Sequence, residues 1–502
     1  MTSREADLAA VDGIGGVTAP GTAKATLKPP IRVKLAYCLG QVVESGYLTV
    51  NTFVFFYYTA VLGLSGSLVG AAVAISMCID AALDPLIGSW SDSVRSRLGR
   101  RLPVMLVGAP LTFLTMGLLF TPPEGLEIWA LFVWLTVMKT AVRAFASMFN
   151  IPFFALGGEM TDGYVERTRI VAYRLLAGII TSVTITAFAY SVFFAGEGGL
   201  QRPERYPHFG WTIAALVLAG GLLCCLGIWR YAASLPQPLT PSKGMLRRLP
   251  AELAEIFRNR SFLILFLSLF LLASAAGAHA ALNNHIYVFV WKLRPETMQV
   301  LAYTGLFGIF VATPLTPFLM TFLEKKAAAA LSFLMMMAAF TVLPGLRAAG
   351  LYAPTGADAM PALIATAFAY GVGFGMMAVS YPAMMADAAD EHEHRFGSRR
   401  EGLFFSGLGF GGKAAGGMGA LVGGLALDVL RFPREVGRQV NAVIDEPVLA
   451  GLVIAWGLVP AALLLIGAAV FWPYAISRAR QAEIAAALKV KRAADVQEGL
   501  ST

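Results

Sequence analysis

The stretch AISMCIDAALDPLIGSW, residues 74–90, sets two carboxylates, Asp80 and Asp84, and a proline, Pro85, into an otherwise apolar run. Four residues separate the aspartates, so on a helix they share one face, one turn apart. Extended back to Ser67, the run is long enough at about 1.5 Å per residue to cross a hydrocarbon core about 30 Å thick. An aspartate inside such a helix costs about 2.5–3.5 kcal/mol on insertion scales, and two neighbouring carboxylates also repel. The pair must therefore share a proton, a basic side chain or a bound cation. Pro85 has no N–H to donate to the carbonyl of Ala81, which leaves that oxygen available as a further ligand. Two carboxylates and a bare carbonyl suit a hard monovalent cation.

The rest of the chain supports a lipid solvent. Of 502 residues, 57% are hydrophobic and 14% charged, against roughly half and a quarter in soluble domains. Apolar runs lie near 32–62, 67–90, 103–121, 127–157, 168–195, 210–231, 260–291, 297–323, 327–346, 359–386, 401–429 and 447–472. The expected fold is an all-α membrane protein of 12 transmembrane helices. Residues 1–30 read as a disordered tail with no signal peptide, and 474–502 as a second tail.

The net charge of +8 does not point to nucleic acid. Of the 39 Lys and Arg, 27 fall in the tails and alternate loops, 8 in the opposite loops, and four (Lys139, Arg143, Arg174 and Lys413) inside spans. This bias predicts cytoplasmic termini and a multi-pass protein of the plasma membrane. Cys38, Cys78, Cys224 and Cys225 all lie within apolar runs and read as small packers. Neither H-E-x-x-H, G-x-S-x-G nor a Walker pattern occurs, so nothing favours an enzyme. Gly407, Gly409 and Gly412 match G-x-G-x-x-G, but inside an apolar span with no strand before it. His392 and His394, in DAADEHEHRFGSRRE (387–401), read as part of a solvated charged loop rather than a metal site.

The polar interval 232–259 separates two halves, 31–231 and 260–473. Asp84-Pro85-Leu86 is echoed 229 residues later by Thr313-Pro314-Leu315, and Asn150-Ile151-Pro152 is echoed 230 residues later by Ser380-Tyr381-Pro382. Two pseudo-symmetric six-helix halves are the plan of the major facilitator fold, with its substrate site between them near mid-membrane.

Lys413, mid-way along SGLGFGGKAAGGMGALVGG (406–424), is the natural counter-charge to the aspartates when no cation is bound. A cation competing with Lys413 for the carboxylates would bias one conformation over another. In the same run Gly412–Gly416 and Gly419–Gly423 read as small-residue packing faces. Lys139, Arg143 and Asn150 share one face of the fourth span. Their two cations either neutralise Asp80, Asp84 or Glu44, or bind an anionic group of the substrate, for which Arg143 has the better geometry. Glu44, flanked by Gln41 and Ser45, either pairs with that span or contacts substrate. His279, Asn283 and His285 read as hydrogen-bonded packers.

Together the run Lys34 to Leu39, CIDAALDPLIGSWSD (78–92), SRLGRR (96–101), NIPFFAL (150–156) and Lys413 resemble the glycoside–pentoside–hexuronide:cation symporters of the major facilitator superfamily. The resemblance implies that Asp80 and Asp84 are the family's paired carboxylates at the cation site, with Ser147 assisting and Lys413 coupling. It also implies that Arg174, in AYRLLAG, lies close to the sugar site. The segment from Asp92 to Arg101, with Arg95 and Arg100, is similar to the superfamily's gating motif. The chain departs where sugar-gripping aspartates are expected, having Ser45 and Asn150. Leu83 replaces the family's Asn, which leaves a proton beside sodium as coupling cation.

The expected function is therefore a monomeric symporter of a small organic solute, a sugar or glycoside with or without an acidic group. The expected partners are that substrate, the coupling cation and the lipid bilayer, with no other cofactor and no nucleic acid. A lysophospholipid or amphiphile symporter of the same fold, and a non-transporting membrane sensor, remain the alternatives.

Overall fold

The computed structural model describes residues 29–501 apart from 162, 236–254, 398–400, 435 and 440–441. The first tail through residue 28 and most of the 232–259 interval thus lie outside the described residues.

Every described regular element is helical. The first half comprises α1 (Ile31–Leu39 and Gln41–Phe56, ending in a π turn, Tyr57–Val61), α2 (Gly66–Ser93), α3 (Leu102–Leu119) and α4 (Ile128–Glu159). It is completed by α5 (Tyr164–Ala187, with a π turn at Phe188–Phe193) and α6 (Arg205–Ser234). The second half comprises α7 (Arg260–His285, with a π turn at Ile286–Val290), α8 (Pro295–Phe322), α9 (Lys325–Ala348) and α10 (Met360–Phe396). After it come α11 (Glu401–Val429), α12 (Glu446–Trp456 and Leu458–Phe471) and a final α13 (Arg478–Ser501). Among the described residues, ten helices are long and apolar enough to cross a membrane. Two further long segments pack among them: α1, interrupted at Gly40, and α11, diluted by glycine and Lys413. The π turns of α1 and α7 fall at equivalent positions of the two halves, 229 residues apart, and share a tyrosine (Tyr58 and Tyr287) and a valine (Val61 and Val290).

Two expectations are corrected, for the segment after 386 and for Cys78, and the tail after 474 is seen to be helical. The charged segment after 386 is not a loop, because α10 continues to Phe396. Ala388, Ala389, Glu391 and His392 are buried on its inner face, and Arg395 pairs with Glu391 one turn back at 2.7 Å. The tail after 474 forms α13, docked on α10 through buried Ile484 and Leu488 and an Arg492–Glu393 ion pair at 2.7 Å. Cys78 is exposed, unlike the three buried cysteines.

Alternation of the spans puts the start of α1 and the end of α12 on one side of the bundle, here the terminal end; the opposite side is the far end. Hydrogen bonds join the halves at the far end. Thr59 Oγ1 lies 2.8 Å from His285 Nε2, Asn284 donates to the Thr52 carbonyl at 3.0 Å, and Arg438 donates to the Val61 carbonyl at 2.9 Å. Asp428 of α11 accepts from the backbone N–H groups of Gly66 and Ser67, each at 2.9 Å. There α2 and α11 touch backbone to backbone: a Cβ on Gly424 would lie 2.0 Å from the carbonyl oxygen of Gly66. Among the described residues no hydrogen bond or ion pair joins the halves at the terminal end. Among the described residues the halves are thus bonded to each other at the far end.

Candidate functional site

At mid-depth, where α2 and α11 begin to part, the side chains singled out by sequence converge. Asp80 is buried and its carboxylate is saturated. Oδ1 accepts from Ser147 Oγ at 2.9 Å, and Oδ2 accepts from Arg143 Nε at 2.8 Å and faces Lys413 Nζ at 2.7 Å. Asp84, one turn on, also takes the Lys413 ammonium on Oδ2, while its Oδ1 is buried without a partner. Lys413 thus bridges both carboxylates and is the charged side chain that the second half contributes to the cluster.

Helix α4 supplies the other partners because 139, 143, 147 and 150 recur at three- and four-residue spacing on one face. Arg143 pairs with Asp80 and, through Nη1 at 3.4 Å, with Glu44 of α1; Asn150 Nδ2 donates to Glu44 at 2.5 Å. The two cations of α4 therefore divide. Arg143 neutralises carboxylates, whereas Lys139, fully buried, reaches none among the described residues: it donates to Asn51 Oδ1 and lies 5.8 Å from the centroid of the Tyr47 ring. Arg143 lies over the same ring at 5.1 Å. Burial strengthens each attraction and raises the penalty for any charge left alone, so the cluster is held as a unit.

A cavity of 530 Å³ borders this cluster between the halves. Tyr47, Leu48, Asn51, Met77 and Arg143 line it from the first half, and Phe405, Leu408, Gly409, Gly412 and Lys413 from the second. Tyr47 and Asn51 were not picked out from sequence, although both follow Glu44 at helical spacing on the same face. A Cβ at Gly412 would meet open space, so Gly412 is a cavity wall and not part of a packing ridge. The Gly419–Gly423 face does pack, against α7 near Ser274 and Ala278.

Other expected residues sit apart. Ser45 Oγ accepts from Gln41 at 3.5 Å and lies toward Gly178 of α5. Arg174 lies over the Phe154 ring at 4.7 Å, off the cavity wall. Pro85 is accommodated inside α2 without ending it, four residues after Ala81. At the terminal end Arg101 bridges Asp92 at 2.8 Å and Glu159 at 2.7 Å, and Arg100 pairs with Glu159 at 2.5 Å. Glu159, the acceptor shared by both arginines, is the residue of this ion-pair cluster that sequence reading did not name. Arg95 is exposed and enters no ion pair among the described residues.

The chain is similar to known transporters over most of its length. A family model described as MFS/sugar transport protein matches residues 41–478. An uncharacterised symporter of Bacillus subtilis is 26% identical, covering 84% of this chain and 86% of its own. A glucuronide carrier protein homolog of Escherichia coli is 25% identical, covering 90% and 94%. A sphingosine-1-phosphate transporter of Mus musculus is 25% identical, covering 89% and 90%. Among solved structures, a nucleoside transporter superposes with a TM-score of 0.57 at 14% identity, covering 88% of this chain and 98% of its own. A bacterial homolog of the human lysosomal transporter Spinster, inward-facing and unoccupied, gives a TM-score of 0.56 at 14% identity, covering 89% and 98%. With its helical halves and the family match across most of the sequence, the chain belongs to the MFS/sugar transport protein family, and is a multi-pass membrane transporter rather than an enzyme.

Proposed function

We propose that this protein is a monomeric, cation-coupled symporter that moves a glycoside-like solute by alternating access across the plasma membrane. One observation carries the reading: the Lys413 ammonium, from the second half, sits on Asp80 and Asp84 of the first. An internal cation thus occupies the carboxylates where a coupling ion would bind. A sodium ion or proton taken up at Asp84 displaces Lys413, removes the mid-depth bridge between the halves, and biases the bundle toward its other conformation. With the basic terminal end assigned to the cytoplasm, the present conformation is the one closed on the outer side.

Thermal stability of the purified protein against sodium, lithium and pH tests this, since an ion that binds the folded state raises the midpoint by mass action. The expected result is a cation- or proton-dependent shift that Asp84→Asn abolishes, together with loss of cation-driven accumulation in proteoliposomes. Robust cation-dependent uptake by Asp84→Asn would sink the assignment.

A second reading, an amphiphile symporter, is favoured by the apolar side chains of the cavity wall, Leu48, Met77, Phe405 and Leu408. The mouse relative is named for such a substrate. Uptake of a lysolipid and not of a glycoside would select it.

A further inference from the structure

We propose that Asn51 is a specificity-determining residue that presents N–H donors to an oxyanion of the substrate, and that Lys139 is the residue that positions it. The inference rests on the transport reading and adds the group that selects among substrates.

The Asn51 amide turns its oxygen to Lys139: Oδ1 accepts from the lysine Nζ. The Nδ2 group then points away from the buried lysine. Asn51 is half-buried and lines the cavity, and Nδ2 has neither an acceptor nor a place among the buried unpaired atoms of the described residues. Its two N–H bonds are therefore offered to the cavity contents. Arg143 lines the same cavity, with Nε and Nη1 committed to Asp80 and Glu44. The polar part of this wall gives donors and positive charge.

Lys139 explains why the amide holds this pose. Glu44 is bound by Arg143 and Asn150, Asp80 by Arg143, Ser147 and Lys413, and Asp84 by Lys413. Lys139 shares α4 with Arg143 but reaches no carboxylate among the described residues, and it is fully buried. Burying an ammonium without a counter-charge is destabilising, and such groups within a membrane are kept for function. Through Asn51 it locks the donor side outward, and its charge polarises the amide. A carboxylate or phosphate oxygen docked at Asn51 and Arg143 supplies the missing negative charge. The carboxylate of an acidic glycoside and the phosphate of a lysolipid share this chemistry.

The test compares two ligand pairs on purified protein by binding titration: p-nitrophenyl β-glucuronide against p-nitrophenyl β-glucoside, and sphingosine-1-phosphate against sphingosine. The wild type is expected to prefer the acidic member of at least one pair, and that pair identifies the source of the oxyanion. Asn51→Asp fits the same space and can pair with Lys139, but it loses the donors and adds a repelling charge. It should cut the acid preference between tenfold and a hundredfold, the range for a charge-assisted hydrogen bond, and change the affinity of the neutral member less than about threefold. Asn51→Ser guards against a folding defect and should shift the preference the same way. Lys139→Met should weaken it as well, and Lys139→Arg should restore most of it, a rescue that mere space-filling would not give. No acid preference in either pair, or a preference unchanged in Asn51→Asp and Asn51→Ser, overturns the proposal. Asp84→Asn, run alongside, should keep the acid preference while losing the cation effect; if the cation effect persists there, the coupling reading fails and this one stands.

Discussion

Helices α2 and α8 hold equivalent places in the two halves, yet α2 carries Asp80 and Asp84 at mid-depth where α8 has Thr313 ahead of its proline. The Thr313 hydroxyl donates back to the carbonyl of Ile309 at 2.8 Å and so is satisfied within its own helix. Helices α4 and α10 contrast more sharply. Lys139, Arg143, Ser147 and Asn150 correspond, at the 230-residue spacing of the repeat, to Ala369, Gly373, Met377 and Ser380. The first half therefore holds five ionisable groups at the cluster, and the second sends in Lys413. Shared architecture supplies two bodies that rock against each other. In the symport we propose, unequal chemistry would make one body the ion binder and the other the part that responds to occupancy, through one ammonium.

The largest test of that division is to remove the carboxylate on which three partners meet. Asp80→Asn takes one counter-charge from both Arg143 and Lys413, leaving them Glu44 and Asp84, in a buried site where breaking a pair costs about 3–5 kcal/mol. The expected outcome is a markedly lower thermal midpoint and no cation-driven accumulation, checked by a melting curve and a proteoliposome assay. A variant that kept both would mean that the ion is handled elsewhere. Lys413→Met comes next. It deletes the internal competitor, so cation affinity should rise about tenfold, the scale of a lost competing ion pair of about 1.4 kcal/mol. Accumulation should fail because the second half no longer responds to the ion. Weaker cation binding would instead make Lys413 a structural support of the site.

The legible part of this molecule follows the same division. Each helix of the bundle lies where an apolar run placed it, because lipid demands long uninterrupted helices and tolerates few charges. Asp80, Asp84, Ser147 and Lys413 could be grouped on the cost of burying charge and on a resemblance, and the fold brings all four within contact. What escaped was set by neighbours in space. Nothing in the sequence near Lys139 shows that it bonds an amide and not a carboxylate, and Asn51 is an ordinary polar residue until α4 is docked on α1. Glu159 lies some sixty positions from the arginines it receives. The end of α10 and all of α13 read as polar loop and tail, because their few buried residues, such as Ile484 and Leu488, matter only once they meet.

The smallest expected effect concerns the far end, where the halves meet without the ion cluster. Asp428 caps α2 across the boundary between the halves, holding the N–H groups of Gly66 and Ser67 that the first turn of a helix leaves unpaired. Both bonds, and the close contact of Gly66 with Gly424, must break when this end opens. A capping carboxylate contributes about 1 kcal/mol, and that amount counts only in the closed form. Asp428→Ala should therefore raise the far-end-open population about fivefold without touching Asp80, Asp84 or Lys413. A single cysteine at Ala60, buried at this end against Gly437, in a background with the native cysteines replaced, reports the change. Its alkylation by an impermeant maleimide added from the far side should quicken about fivefold, while the cation-induced thermal shift should stay within about twofold because the ion site is intact. An unchanged labelling rate would mean that the glycine contact alone closes this end. A lost thermal shift would mean that the two regions are not separable, and that the chemical division between the halves extends to the lock at the far end.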